Sequence, residues 1–146
     1  MPNKILIADD HPQNAELLEA FLAELDDIEI QVATDGQEAL DMTASFGPDL
    51  ILLDVMMPKM SGFEVCKKIK SNPATEGILV LMVTALNELG DIERGVRAGC
   101  DDFLSKPVNR LELLKRVDNM LKLSNVSDQL ERLRKYIDAM EGAEEA

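Results

Sequence analysis

Short apolar runs alternate with amphipathic stretches along most of the chain. The apolar runs predict five strands, at 4–8, 28–33, 50–53, 78–83 and 102–104. Apolar residues at helical spacing, together with turn and capping signals, predict helices at about 16–25, 37–45, 63–70, 89–98 and 109–123. Because strands and helices alternate strictly, we expect a doubly wound α/β fold, in which helices cover both faces of a parallel sheet.

Polar residues stand where four of the predicted strands end. Asp9 and Asp10 follow the first strand, Asp54 follows the third, Thr84 follows the fourth, and Lys106 comes shortly after the fifth. Sites in doubly wound sheets form beyond the carboxyl ends of the strands. Each of these residues alone is as well explained by a helix cap or a solvated loop. Their coincidence at four strand ends indicates a single polar site.

The three carboxylates of this predicted site require a counter-charge, because they cannot all ionise close together without one. Mg²⁺ or Mn²⁺ is the expected cofactor, since hard cations take oxygen ligands and also bind phosphate oxygens. Zinc is not favoured, because the chain has one histidine and no closely spaced cysteine pair. That histidine, His11, is expected to be exposed in a loop. Dinucleotide binding is disfavoured, because the loop after the first strand has no glycine-rich motif.

The charge of the chain narrows the classes of partner. A formal net charge of −13 repels phosphate backbones, so we expect no direct binding to nucleic acid. No apolar run approaches the roughly 20 residues needed to cross a bilayer, so we expect no membrane span. The two cysteines, Cys66 and Cys100, form no disulfide motif, and the start of the chain lacks a charged and apolar leader. These features predict a cytoplasmic protein.

Five segments carry a resemblance to a known family: Ile5–Asp10, Leu52–Gly62, Thr84–Ala85, Gly99–Phe103 and Lys106–Pro107. With these segments, the chain resembles the receiver domain of two-component response regulators, of the chemotaxis-regulator type, over about residues 4–121. The resemblance implies a flavodoxin-like sheet with strand order 2-1-3-4-5. It also implies two kinds of partner, namely a sensor histidine kinase or phosphotransfer protein, and a downstream effector protein.

The resemblance implies roles for the acidic residues. Asp54 would be the phosphorylated aspartate and would also contact the metal. Asp10 would be a direct metal ligand, and Asp9 would act mainly through water. The backbone carbonyl of Met56 would be a further ligand. A carboxylate that attacks phosphorus forms an acyl phosphate, and a metal offsets the negative charge shared by the donor and the acceptor.

Further residues would contact the phosphoryl group or respond to it. The resemblance implies that Lys106 and Thr84 contact it, and that the Lys106-Pro107 peptide bond is cis. Phe103 falls at the switch aromatic position, where the family often has Tyr. Movement of Thr84 towards the phosphoryl group would leave space beside Ala85 for the ring of Phe103 to enter. Such a local contact would control a two-state surface.

Two apolar positions bear on how long the phosphoryl group would last. Met56 and Leu86 flank the expected path of the attacking water, and neither side chain can orient a water, so slow autodephosphorylation is expected. Met56 also stands where aspartyl-phosphate phosphatases and mutases have a general acid. We therefore expect no enzymatic activity beyond phosphorylation and dephosphorylation of the domain itself.

The end of the chain has a separate pattern. We divide the chain into a receiver domain at 1–122 and a helical extension at 123–146. The extension carries apolar residues at alternating spacings of three and four, which is a coiled-coil pattern: Leu123, Val126, Leu130, Leu133, Ile137 and Met140. It predicts a homodimer or a helix leading to an output domain, although a helix packed on its own domain would show similar periodicity.

Two alternatives to an isolated phosphorylated switch remain at this point. One alternative is that the chain is the N-terminal part of a longer regulator that has an enzymatic or DNA-binding output. An unphosphorylated receiver that serves as a protein-interaction module is the other alternative. The presence of all five polar residues at the strand ends counts against that alternative.

Overall fold

The computed structural model describes residues 2–85 and 89–145. In these two segments, the strands are β1 (Asn3–Ala8), β2 (Ile28–Ala33), β3 (Leu50–Leu53), β4 (Leu79–Thr84) and β5 (Asp102–Ser105). The helices are α1 (Pro12–Leu22), α2 (Gly36–Ser45), α3 (Gly62–Ser71), α4 (Leu89–Ala98) and α5 (Arg110–Glu145). All strand pairs are parallel, and the order β2-β1-β3-β4-β5 confirms the expected doubly wound sheet.

Each face of the sheet carries its own apolar core, because successive residues of a strand point to opposite faces. On one face, Ile5, Leu52 and Leu81 pack with buried residues of α1 and α5. On the other face, Leu6 and Ile51 pack with buried residues of α2, α3 and α4. All four residues of β3 are buried, as expected for a central strand.

Side-chain caps define where three helices begin. The Asp35 carboxylate accepts a hydrogen bond from the backbone N–H of Glu38 at 2.8 Å and caps α2. Ser61 caps α3 in the same way. Asn109 Oδ1 accepts a hydrogen bond from the N–H of Glu112 at 3.0 Å and caps α5. Each cap satisfies an N–H that has no partner within the helix.

Helix α1 differs from the prediction at both ends. It was expected at about 16–25, and it begins at Pro12 and ends at Leu22. Pro12 occupies the first turn, where its fixed φ suits the helix and its missing N–H costs nothing. The apolar stripe does not reveal this turn, because the buried residues of α1 begin only at Ala15. Leu25 lies beyond the helix and packs against the core.

Helix α5 does not end near Leu123 as predicted, because the helical extension predicted at 123–146 continues it to Glu145 without a break. Ser124, Asn125 and Ser127 are weak helix formers, but each lowers helix stability by less than about 1 kcal/mol. The predicted domain boundary at 122/123 therefore falls inside one helix. The six apolar residues of the predicted coiled-coil pattern are exposed, from Ile137 at 45% to Leu130 at 61%, so they do not pack on the domain. Among the described helices, none is long and apolar enough to cross a membrane.

Candidate phosphoryl-acceptor site

Asp9 and Asp54 stand one residue beyond neighbouring strands, and sheet hydrogen bonds hold their backbones. The N–H of Asp9 donates to the Ala33 carbonyl at 3.1 Å, and the N–H of Asp54 donates to the Ala8 carbonyl at 3.0 Å. Both residues are buried, with 2% and 5% of their surface exposed. Because the hydrogen-bond ladder of the sheet extends to these residues, the two carboxylates have fixed positions at the carboxyl end of the strands.

Lys106 connects the two buried carboxylates. Its Nζ lies 3.1 Å from Asp54 Oδ2 and 3.3 Å from Asp9 Oδ2. The backbone of this lysine is also fixed, because its N–H donates to the carbonyl of Thr84 at 2.9 Å. The following peptide bond, Lys106-Pro107, is cis, as the resemblance implied. The end of β5 thus directs one ammonium group at the carboxylates that follow β1 and β3.

Burial governs the electrostatics of Asp54. Desolvation raises the pKa of its carboxyl above the ordinary 3.8, while the nearby Lys106 ammonium opposes that rise. The negative charge of Asp9 adds to the rise, and a hydrogen bond from the N–H of Met56 opposes it. The carboxylate is therefore held in a position where its negative charge is incompletely compensated.

Asp9 and Asp10, the acidic pair, have the oxygen ligand atoms that a hard cation requires. Ligand atoms of Asp9, Asp10, His11 and Asp54 all lie within 4.8 Å of one another. Asp10 Oδ1 is buried and accepts no hydrogen bond, although His11 Nδ1 lies 3.0 Å away. A buried carboxylate oxygen without a hydrogen bond is costly unless a cation or a solvent molecule satisfies it. The residues present thus fit Mg²⁺ or Mn²⁺, both of which take oxygen ligands.

The loop after β3 brings backbone groups to Asp54. The N–H of Met56 lies 3.4 Å from Asp54 Oδ1, which places the Met56 backbone beside the carboxylate, while its side chain is exposed. The N–H of Gly62 donates to the carbonyl of Val55 at 2.8 Å and closes the loop. This position of Met56 is compatible with a carbonyl ligand, which remains a prediction.

The predicted switch residues lie on β4 and β5. Thr84 is the last residue of β4 and is buried. Phe103 is partly buried on β5 and packs against the core beneath α2, α3 and α4. Leu86, for which a role in water access was predicted, lies outside the described residues.

Sequence reasoning placed the acids and the lysine at one edge, and the structure brings them together. The contact of His11 with Asp9 and Asp10 was not predicted from the sequence. The His11 side chain is 62% exposed, as expected, yet its Nδ1 also lies 3.3 Å from Asp9 Oδ1. The Asp-Asp-His sequence was the available signal. The contact of Phe103 with Gly95, described below, was not predicted either, because that contact depends on how α4 packs on β5.

Comparisons with known proteins show the family to which the chain is similar. The family model for the response regulator receiver domain matches residues 5–118. The response regulator PleD of Caulobacter vibrioides is 45% identical over 130 residues, which are 89% of this chain and 28% of PleD. The chain thus spans less than a third of that relative.

Solved structures are also similar to this chain. A response regulator from Chloroflexus aurantiacus has a TM-score of 0.78 and 35% identity, covering 84% of this chain and 99% of that one. The BeF3-activated DrrB receiver domain has a TM-score of 0.75 and 30% identity, with coverages of 84% and 99%. Because the family model matches most of the chain, the chain belongs to the response regulator receiver domain family.

Proposed function

We propose that this receiver domain accepts a phosphoryl group on Asp54 and that the resulting charge changes which partners it binds. The observation that carries the proposal is the buried Asp54 carboxylate, fixed by the sheet and contacted by Lys106 at 3.1 Å. A fixed acceptor beside a cation satisfies the main requirements of phosphoryl transfer, which are positioning and compensation of charge.

The transfer exchanges one bond for another. An oxygen of Asp54 forms a bond to phosphorus, and the bond between phosphorus and the donor breaks, so that the donor leaves with the electron pair. The donor is a phosphohistidine of a sensor kinase or phosphotransfer protein, or a small acyl phosphate. Lys106 stabilises the negative charge on the transferred group. No side chain at position 56 can act as general acid, because that residue is Met56.

Asp9, Asp10, Asp54 and the carbonyl of Met56 are the residues that would hold Mg²⁺ or Mn²⁺. The bound ion would offset the negative charge that the acceptor shares with the incoming phosphoryl group. The hydroxyl of Thr84 is suited to donate a hydrogen bond to that group, and Phe103 would respond to its movement. A downstream effector protein would then recognise the altered surface.

The test is incubation with Mg²⁺ and acetyl phosphate, followed by intact mass spectrometry. We expect a gain of about 80 Da, the mass of one phosphoryl group, that is lost in Asp54→Asn. The matched control is Asp41→Asn, which removes an exposed carboxylate on α2 and should keep the gain. No gain in the wild type would favour the alternative of an unphosphorylated interaction module.

A second proposal concerns the segment from Leu123 to Met140. Its six apolar residues are exposed at coiled-coil spacing on an unbroken helix. Its charges also balance, with three basic and three acidic residues between positions 123 and 140, whereas the whole chain carries −13. A second copy is a suitable partner for this stripe, because the self-complementary pattern buries apolar residues without bringing together like net charges.

The chain spans only 28% of PleD. This coverage supports a related proposal, in which such a helix joins a receiver to an output domain in a longer regulator. The two proposals are compatible, since a dimerising helix can also connect domains.

A further inference from the structure

The ring of Phe103 on β5 lies directly over Gly95 on α4. A Cβ atom added at Gly95 would stand 2.7 Å from Phe103 Cε2 and 3.1 Å from Cε1, and nearer still to Cζ. Distances this short are incompatible with normal van der Waals contact. The ring therefore occupies the space that any side chain at position 95 would need.

Gly95 lies in the interior of α4, where glycine is an unfavourable residue. It is buried, and its φ is not in the left-handed region. The backbone conformation thus does not require glycine, and Ala would be the better helix former. The close approach of the Phe103 ring is the feature of the structure that does require it. By contrast, a Cβ at Gly90 in the same helix would meet nothing within 4 Å.

We propose that Gly95 is a positioning residue of the switch, which provides the seat for the Phe103 ring while Asp54 is an unmodified carboxylate. In this structure Asp54 is a carboxylate in direct contact with Lys106, and the Phe103 ring lies over Gly95. This inference rests on the proposed function, because it assigns Gly95 to the same two-state change. It adds a residue of α4 that touches neither the acids nor the lysine.

The seat has a direct consequence for the balance between the two states. A side chain at position 95 would clash with the far end of the Phe103 ring. The ring can move away by rotation about the two side-chain torsions of Phe103. A methyl group there would therefore expel the ring from its seat and destabilise the carboxylate arrangement. The state with a phosphoryl group, in which Thr84 and the ring have moved, would gain population.

The experiment measures binding of beryllium trifluoride, a phosphoryl mimic, at fixed Mg²⁺ concentration to the wild type, Gly95→Ala and Gly90→Ala. If the activated state has a population of about 10% in the wild type, its apparent affinity for the mimic can rise by up to about tenfold in Gly95→Ala. Gly90→Ala introduces the same methyl group into open space and should bind like the wild type. Equal or weaker binding by Gly95→Ala overturns the inference.

A double variant separates the seat from a general effect on the helix. In the Phe103→Ala background the ring is absent, so Gly95→Ala should no longer change the affinity for beryllium trifluoride. If Gly95→Ala alone unfolds, the double variant should regain the thermal stability of Phe103→Ala, and failure to regain it overturns the inference. Lack of binding by the wild type would instead overturn the proposed function, and with it this role of Gly95.

Discussion

At the scale of single residues, the site depends on buried negative charge that the nearby positive charge compensates only in part. Asp54 is almost fully buried, and its nearest cation, Lys106, is shared with Asp9. One ammonium group thus serves two carboxylates. This arrangement favours the arrival of further positive charge, and it makes the ionised site unfavourable for folding when no such charge is present.

Replacement of Asp54 by Asn should therefore stabilise the protein at neutral pH in the presence of a chelator. Burial raises the pKa of the Asp54 carboxyl above 3.8 in the folded state. The folded state then binds this proton more tightly than the unfolded chain does. The contribution of Asp54 to the stability of the wild type falls as the pH rises from 3.8 through the raised pKa, and then stays lowered. The amide introduced by Asp54→Asn does not titrate, so the variant lacks this fall.

Urea unfolding of both proteins in EDTA, from about pH 3 to pH 7, measures the effect. We expect the advantage of Asp54→Asn to grow as the pH rises. An advantage that stayed constant or shrank with rising pH would contradict the assignment of the raised pKa. Added Mg²⁺ should raise the stability of the wild type more than that of the variant, because a ligand that binds the folded state stabilises it.

The sequence allowed Asp54, Asp9 and Lys106 to be placed together, because carboxyl ends of parallel strands share one edge and each residue follows a recognisable strand. The seating of Phe103 on Gly95 could not be predicted in the same way. It depends on the distance between α4 and β5, which local periodicity does not encode. In the sequence, Gly95 is only an unfavourable residue within the helix predicted at 89–98.

At the scale of elements, the N-terminus of α3 supports the loop that carries Asp54. A Cβ at Gly62 would lie 2.8 Å from Val55 Cα and closer still to the carbonyl oxygen of Asp54. The contact is with backbone, which cannot move aside as a side chain can. The first residue of α3 therefore sets how closely this helix approaches the acceptor residue.

Gly62→Ala should destabilise the protein by about 1–3 kcal/mol, the usual range for an overpacked site. It should also lower the rate of phosphoryl uptake from acetyl phosphate, because it displaces the backbone of Asp54. Gly77→Ala is the matched control, since a Cβ there meets nothing within 4 Å. Unfolding curves and uptake rates compared for the two variants measure both effects. Equal stability of the two would show that the backbone of Asp54 yields freely.

The ends of elements were the part of the fold that sequence reasoning placed least well. The start of α1 was missed because Pro12 and its neighbours contribute no buried apolar residue to the helical stripe. The helical extension at 123–146 was predicted, but its unbroken join to α5 was not, because Ser124 and Asn125 are weak helix formers. Strands β2 and β3 coincide with their predictions, because the alternation of β2 and the buried apolar run of β3 both have clear limits.

At the scale of the whole molecule, the exposed stripe of α5 faces away from the domain. Leu113, Val117 and Leu121 are the side of α5 that is buried against the sheet. At about 100° per residue, Leu130 and Ile137 lie roughly 140–160° around the helix from Val117. A second copy on this stripe would therefore meet the helix from the side opposite to its own domain.

Leu130→Lys should abolish or weaken dimerisation of the chain. A lysine in the centre of the stripe would place two ammonium groups in an apolar seam, so we expect the dimer to dissociate at least about tenfold more readily. Asn125→Lys adds the same charge at an exposed position outside the stripe. Sedimentation equilibrium over a range of concentrations compares the three proteins. A wild type that stays monomeric at high concentration would contradict the second proposal.

The unbroken course of α5 has a mechanical consequence. Leu121 is the last buried residue of α5 among those whose burial the structure describes, and from there the helix continues to Glu145, a distance of about 36 Å at 1.5 Å per residue. A rod of this length acts as a lever, so that a tilt of about 5° at the domain would move the far end by about 3 Å. Small rearrangements near β5 and the start of α5 would thereby become displacements as large as a side chain at the other end.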